Sequence, residues 1–218
     1  KATFAGDVTL TSATNAKPAL TLENTNTDSS PGHLIFIKNS ALPAVNDNVG
    51  NIVWFSDDDG GNKTAFAQIY VQTPTITNGS EKGKMFFTMR DGGAWANRLV
   101  IDGSNVGIGT ESPDGKLHVM TESCGTQTAN ANSDELTLEN SGHCGMTILS
   151  GTGSYGLIRF GDSGGATRGE IGYNHSSDTG FNFNVADSTK ATLSSTGLTI
   201  TGFITCSSSL FINSGERF

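Results

Sequence analysis

Apolar and polar residues alternate in short runs along most of this chain. The stretch from Arg98 to Val119 shows the pattern most clearly. Leu99/Ile101, Val106/Ile108 and Leu117/Val119 each alternate with a small or polar neighbour, and Asp102–Asn105 and Pro113-Asp114-Gly115 separate them. A period of two with turn residues between the runs predicts strand, tight turn, strand, turn, strand, and no helix fits there. The same reasoning predicts a short strand around Val8 and Leu10, then strands near 19–23, 34–37, 51–55, 66–71, 84–89 and 97–101. A second series is expected near 135–139, 146–149, 156–160, 168–173, 180–185 and 190–193. Regular short strands punctuated by Gly, Asn and Asp suggest an all-β chain built of antiparallel sandwich-like domains.

The two series are copies of each other. Leu20-Thr21-Leu22-Glu23-Asn24 returns as Leu136-Thr137-Leu138-Glu139-Asn140, 116 residues later. Phe55 is matched to Phe160 at an offset of 105, Phe87 to Phe183 at 96, and Val106-Gly107-Ile108 to Leu198-Thr199-Ile200 at 92. The falling offset makes the second copy the shorter one. Ala2–Leu10 further aligns with Ile204–Ile212. The organisation that follows is an N-terminal shaft segment (1–17), a first β repeat domain (18–101), a shaft or linker (102–134), a second, shorter β repeat domain (135–197) and a C-terminal shaft segment (198–218). A period near 100 residues exceeds the roughly 20–50 of solenoid repeats, so each copy should be a small domain with its own core.

Composition narrows the function classes. With 28 glycines, 5 prolines and 16% charged residues, the chain has many turns and relies on Ser, Thr and Asn for solubility. A net charge of −8 argues against nucleic acid or an anionic membrane as a partner, since both call for a basic face. No apolar run reaches the length of a membrane span, and no signal peptide is evident. Cys124, Cys144 and Cys206 are odd in number and lack metal-ligand spacing, which suits free thiols in a reducing cytoplasm. The chain opens without Met, in mid-strand, and is expected to be a segment of a longer protein.

The run Asn105-Val106-Gly107-Ile108-Gly109-Thr110, followed by Ser112-Pro113 and Lys116-Leu117-His118-Val119, resembles the NVGIGT-x-SP…KLHV linker of bacteriophage tail fibres. Ala2–Val8, Leu136–Asn140 and Ser214–Arg217 are similar in style to other phrases of that family. What the resemblance implies is an elongated homotrimeric virion fibre, β-rich, assembled in the host cytoplasm and acting outside it. Its implied partners are two identical chains, other virion proteins of the tail or baseplate, and a host cell-surface glycan or protein. Short shaft strands are too thin to be stable alone. Val106, Gly107, Ile108, Gly109, Leu117 and Val119 are therefore expected to face sister chains about a three-fold axis, with the glycines admitting a close backbone, a neighbouring chain being one candidate.

Several motifs invite an enzymatic reading, and each has a simpler one. Gly161-Asp162-Ser163-Gly164-Gly165 spells the nucleophile loop of chymotrypsin-like proteases. That chemistry needs a His base oriented by a buried Asp, yet His143 lies only 20 residues upstream and the repeat maps Ser163 onto Asp58, in a turn. Gly151-Thr152-Gly153-Ser154-Tyr155-Gly156 matches G-x-G-x-x-G but opens a strand instead of a helix, so it reads as a connecting loop and implies no nucleotide cofactor. Asp57-Asp58-Asp59 offers oxygen ligands, and Asp57 and Asp59 are the metal candidates. Gly61 and Gln68 stand where an EF-hand needs ligands, which leaves solvated turn carboxylates as the plainer reading. His118 alternates with Leu117 and Val119 and is expected on the outer face.

The reading that results is a non-enzymatic structural fibre segment, with loop tips at Asp58, Trp95 and Ser163 as candidates for facing a receptor. Trp54, inside an apolar strand, is expected in a core. The alternatives from other classes are a tailspike that cleaves polysaccharide with a carboxylate pair, and a capsid-attached fibre that binds glycans weakly in many copies.

Overall fold

A computed structural model describes residues 4–15, 17–176 and 180–205. The chain is all-β, and among the described residues twelve strands form two sheets, with no helix. Contacts divide it into a first unit running to Cys144 and a second starting at Gly145.

The first unit is a seven-stranded sheet in chain order. Strands β1 (Asp47–Asp57), β2 (Lys63–Thr75), β3 (Lys82–Asp91), β4 (Ala94–Asp102) and β5 (Asn105–Ile108) form an antiparallel meander. Short polar connections make this the simplest arrangement, because adjacent antiparallel strands need only a tight turn. Strands β6 (Leu117–Met120) and β7 (Leu136–Glu139) then add in parallel. A parallel neighbour obliges the chain to cross back over one face of the sheet, and residues 109–116 and 121–135 make those two crossings.

The second unit is a five-stranded antiparallel meander of β8 (Tyr155–Asp162), β9 (Gly165–Asn174), β10 (Gly180–Val185), β11 (Ser188–Ser194) and β12 (Gly197–Ile200). It repeats β1–β5 strand for strand. Register fixes the correspondence. Phe87 pairs with Leu99 and Leu99 with Ile108, just as Phe183 pairs with Ala191 and Ala191 with Ile200. This reproduces the offsets of 96 and 92. In the first strand, however, the faces match Gly50, Ile52 and Trp54 with Gly156, Ile158 and Phe160, an offset of 106. The expected Phe55–Phe160 pairing is one residue out of step, and a one-residue slip exchanges the two faces of a strand.

Three further expectations are corrected. Each unit holds one sheet, so neither is a sandwich. The segment 102–134 is no separate shaft, because β5 and β6 extend the first sheet and β7 joins it, placing the contact boundary at 144/145. Residues around Val8 and Leu10, and the stretches 19–23, 34–37 and 146–149, form no strand. Alternation reports that side chains can share a face; it does not supply a ladder partner. Residues 34–37 and 146–149 instead place an apolar side chain over the first strand of each sheet. Phe36 lies against Gly50, and Ile148 against Gly156. Cys206 and most of the expected C-terminal shaft segment lie outside the described residues, as do Lys1–Thr3 and Ser214–Arg217.

Candidate interaction face

Directly paired residues in a ladder point to the same side of the sheet, so the registers show how the side chains are sorted. In the first unit one side carries Ile52 and Trp54 from β1, Ala67, Ile69 and Val71 from β2, and Met85, Phe87 and Met89 from β3. It continues through Leu99 and Ile101, Val106 and Ile108, Leu117 and Val119, and Leu136 and Leu138. Every one of these residues is apolar, and none is buried within the chain. Trp54 is 49% exposed, Ile108 41% and Leu136 50%.

The second unit is sorted in the same way. Ile158 and Phe160, Ile171 and Tyr173, Phe181 and Phe183, Ala191 and Leu193, and Leu198 and Ile200 share one side. Phe160 remains 56% exposed and Leu198 63%. Arg159, Glu170, Asn182, Asn184 and Thr192 occupy the other side, where Arg159 Nε donates to Glu170 Oε2 at 2.7 Å and Asn184 Nδ2 to Glu170 Oε1 at 2.8 Å.

The buried side chains of the first unit lie on the opposite side of its sheet. Tyr70 stacks on Phe86 with centroids 4.6 Å apart, and Val100 is fully buried. Thr88 Oγ1 donates to Asn97 Oδ1 at 2.5 Å. The first crossover closes over these residues. Lys84 Nζ donates to the Glu111 carbonyl at 2.5 Å, Asn97 Nδ2 to Glu111 Oε1 at 2.7 Å, and Asn105 Nδ2 to the Pro113 carbonyl at 3.3 Å. Both crossings therefore cover the side that holds Tyr70, Phe86 and Val100, and the opposite, apolar side is left largely exposed, with Phe36 lying over it only at Gly50.

The crossover also decides the place of His118, which is 1% exposed and the largest fully buried side chain. The expected outer position is overturned because the outer face here lies beneath residues 109–116. Its Nδ1 accepts the Asp114 N–H at 3.4 Å, which leaves the proton on Nε2. Nε2 lies 2.9 Å from Glu139 Oε2, although the direction falls short of a hydrogen bond. Asp114 Oδ1 is 3.8 Å from Nδ1. The three groups lie within 4.8 Å of one another, close enough to share an ion. The carboxylates approach different nitrogens of the ring, Asp114 Oδ1 near Nδ1 and Glu139 Oε2 near Nε2. The arrangement clamps β6, β7 and the crossover together.

Glu139 is held below the usual carboxylate range, chiefly by the Cys124 N–H that it accepts at 2.7 Å, while burial works in the opposite direction. Smaller contributions come from the Ser123 and Cys124 side chains and from His118. The same carboxylate pushes the Cys124 thiol up, which makes that cysteine a weaker nucleophile.

The residues singled out from sequence are spread over the molecule. Asp57 ends β1, and Asp58 and Asp59 lie in the β1–β2 turn. Asp58 Oδ1 accepts the Gly60 and Asn62 N–H groups at 3.0 and 2.9 Å, so its carboxylate serves the turn itself. Asp57 and Asp59 join no cluster of three ligands among the described residues. Ser163 stands in the β8–β9 hairpin turn, beside Asp162, whose Oδ1 accepts from Gly164 N at 2.8 Å. Trp95 lies just after the β3–β4 turn, on β4 and 40% exposed, with the Arg90 guanidinium 5.0 Å from its ring centroid.

Val106, Ile108, Leu117 and Val119 all belong to the apolar face, whereas Gly107 and Gly109 face backbone of their own chain. A Cβ on Gly107 would lie 2.5 Å from the Thr110 carbonyl oxygen, and one on Gly109 would lie 2.1 Å from that of Met120. The full extent of the face was missed from sequence, although extending the alternation to Trp54, Ile69 and Phe87 would have found it. Comparison with protein-family models and with curated proteins finds no match.

Proposed function

We propose that this chain is a structural segment of a homotrimeric phage fibre, held together by apolar sheet faces turned toward a common axis. The observation that carries the reading is a continuous apolar side on each sheet that a single chain leaves largely exposed, covered only where Phe36 lies against Gly50 and Ile148 against Gly156. Burying a side chain such as Phe87 or Ile158 stabilises by roughly 1.5–3 kcal/mol relative to leaving it in water, and this face offers many such residues. The face accounts for association. The number of chains rests on the resemblance of Asn105–Val119 to tail-fibre linkers, since two sheets stacked face to face would also bury apolar surface. Outward-facing polar sides and hairpin tips, including Asp58, Trp95 and Ser163, would then be available to other virion proteins and to a host surface.

Light scattering on the purified chain tests this directly. Three chains of 22.7 kDa give a particle of about 68 kDa. A particle of one chain at micromolar concentration would sink the reading, and one of two chains would keep the face but replace the fibre by a paired-sheet dimer.

A further inference from the structure

We propose that Asp114, His118 and Glu139 form a binding site for a divalent transition-metal ion of the zinc class. His118 carries the inference. It is 1% exposed, its Nε2 has no hydrogen-bond partner, and that atom lies 2.9 Å from Glu139 Oε2. A buried ring nitrogen without a partner is costly in a folded chain, and an ion bound there removes the cost. The charges point the same way. The Glu139 side chain is 9% exposed and that of Asp114 24%, and among the described residues neither is paired with a lysine or arginine. Two carboxylates beside an imidazole that accepts at Nδ1 leave two negative charges in a small space, which a divalent cation balances.

One ligand atom from each of the three residues lies within 4.8 Å of the other two. Carboxylates aligned in the ring plane with two different nitrogens would stand farther apart than that, so Asp114 and Glu139 lean toward the same edge of the imidazole. At bonds of about 2.0–2.2 Å, two ligands of one zinc ion stand roughly 3–3.5 Å apart. Nε2 and Glu139 Oε2 already come close to that separation, and the partly exposed Asp114 side chain closes the remainder. Binding moves the ring proton from Nε2 to Nδ1, at the expense of the 3.4 Å hydrogen bond from the Asp114 N–H. One nitrogen and two carboxylates favour zinc and its neighbours over calcium, which takes about six to eight oxygens. A cavity of about 310 Å³ opens beside the cluster, and Thr110, Ser112, Ser123 and Thr128 line it with hydroxyls, so water can complete the coordination. The site lies on the crossover side of the sheet and does not depend on how many chains assemble.

The test is isothermal titration calorimetry with Zn2+ on the full chain, stripped of metal and with Cys124, Cys144 and Cys206 replaced by serine so that thiols do not compete. One zinc ion per chain should bind at micromolar concentration. Zn2+ should also raise the urea midpoint, while Ca2+ at the same concentration leaves it in place. Asp114→Asn and Glu139→Gln should each weaken zinc binding by at least about tenfold, with the circular dichroism of the sheet retained. Asp114→Asn is the cleaner variant, because the Asp114 carboxylate makes no hydrogen bond among the described residues. Absence of saturable zinc binding, or binding that survives both substitutions together, would overturn the proposal. So would calcium raising the midpoint as much as zinc.

Discussion

Ile108 of β5 and Val119 of β6 are partners in a parallel ladder, and both turn to the side of the sheet that the chain's own crossovers avoid. In a single chain Ile108 is 41% exposed, so replacing it should disturb the fold of one chain little. In an assembly with apolar faces opposed, the same position is desolvated, and a carboxylate there has no partner. Ile108→Asp should therefore leave the far-ultraviolet circular dichroism of β-sheet intact and reduce the particle to single chains, as read by light scattering. Gln68→Glu, on the polar side, should leave the mass unchanged. Equal masses for all three proteins would mean that the face is not the interface.

The strand content was legible in the sequence because β1–β5 and β8–β12 place apolar residues at every second position between turn residues. The polarity of whole sheet faces was present too, since it is the same alternation summed over neighbours. Two things could not be read from the pattern. Alternation is identical for a strand that finds a ladder and one that does not, which is why 19–23 and 34–37 looked the same as 84–89. The sequence also contains no signal for which side a crossover takes, and that choice moved His118 from an expected outer face to a position only 1% exposed.

The glycines around Ile108 give a separate check on the fold of the first unit. Gly109 has a φ of +77°, a conformation costly for an L side chain, and a Cβ there would collide with the Met120 carbonyl oxygen. Gly109→Ala should destabilise by about 2–4 kcal/mol, the sum of backbone strain and the shift of β6 needed to clear the contact. Gly103, at φ +59° with open space around its Cβ position, provides the comparison, and its Ala variant should cost about 1–2 kcal/mol. Chemical denaturation of the two variants side by side gives the difference. Equal losses would mean that β6 does not pass over Gly109 as described.

Ser163 sits in a two-residue hairpin turn whose geometry is held by the neighbouring Asp162, through Gly164 N and Arg168 Nε. Ser163→Ala should change stability by no more than about 0.5 kcal/mol and leave the mass of the particle in solution as it was. Asp162→Ala, by contrast, removes the acceptor of both contacts and should lower the melting temperature. A Ser163→Ala variant that loses a hydrolytic activity present in the parent would restore the protease reading of Gly161–Gly165.

Glu139 ties β7 to the crossover and to His118, and its folded-state pKa lies below its unfolded value. A carboxylate of this kind contributes stability that is fully present above the unfolded pKa and disappears as pH falls through the folded pKa. The first unit should therefore lose stability in the acid range below the ordinary carboxylate pKa, and a Glu139→Gln chain should show a shallower loss there. The variant should be the less stable protein at pH 7, because Gln cannot supply the charge that faces His118 Nε2 and accepts the Cys124 N–H. Urea melts at pH 7 and pH 3 on the two proteins measure both effects. Parallel pH dependences for parent and variant would show that the Cys124 and His118 contacts to Glu139 do not hold the carboxylate in its charged form.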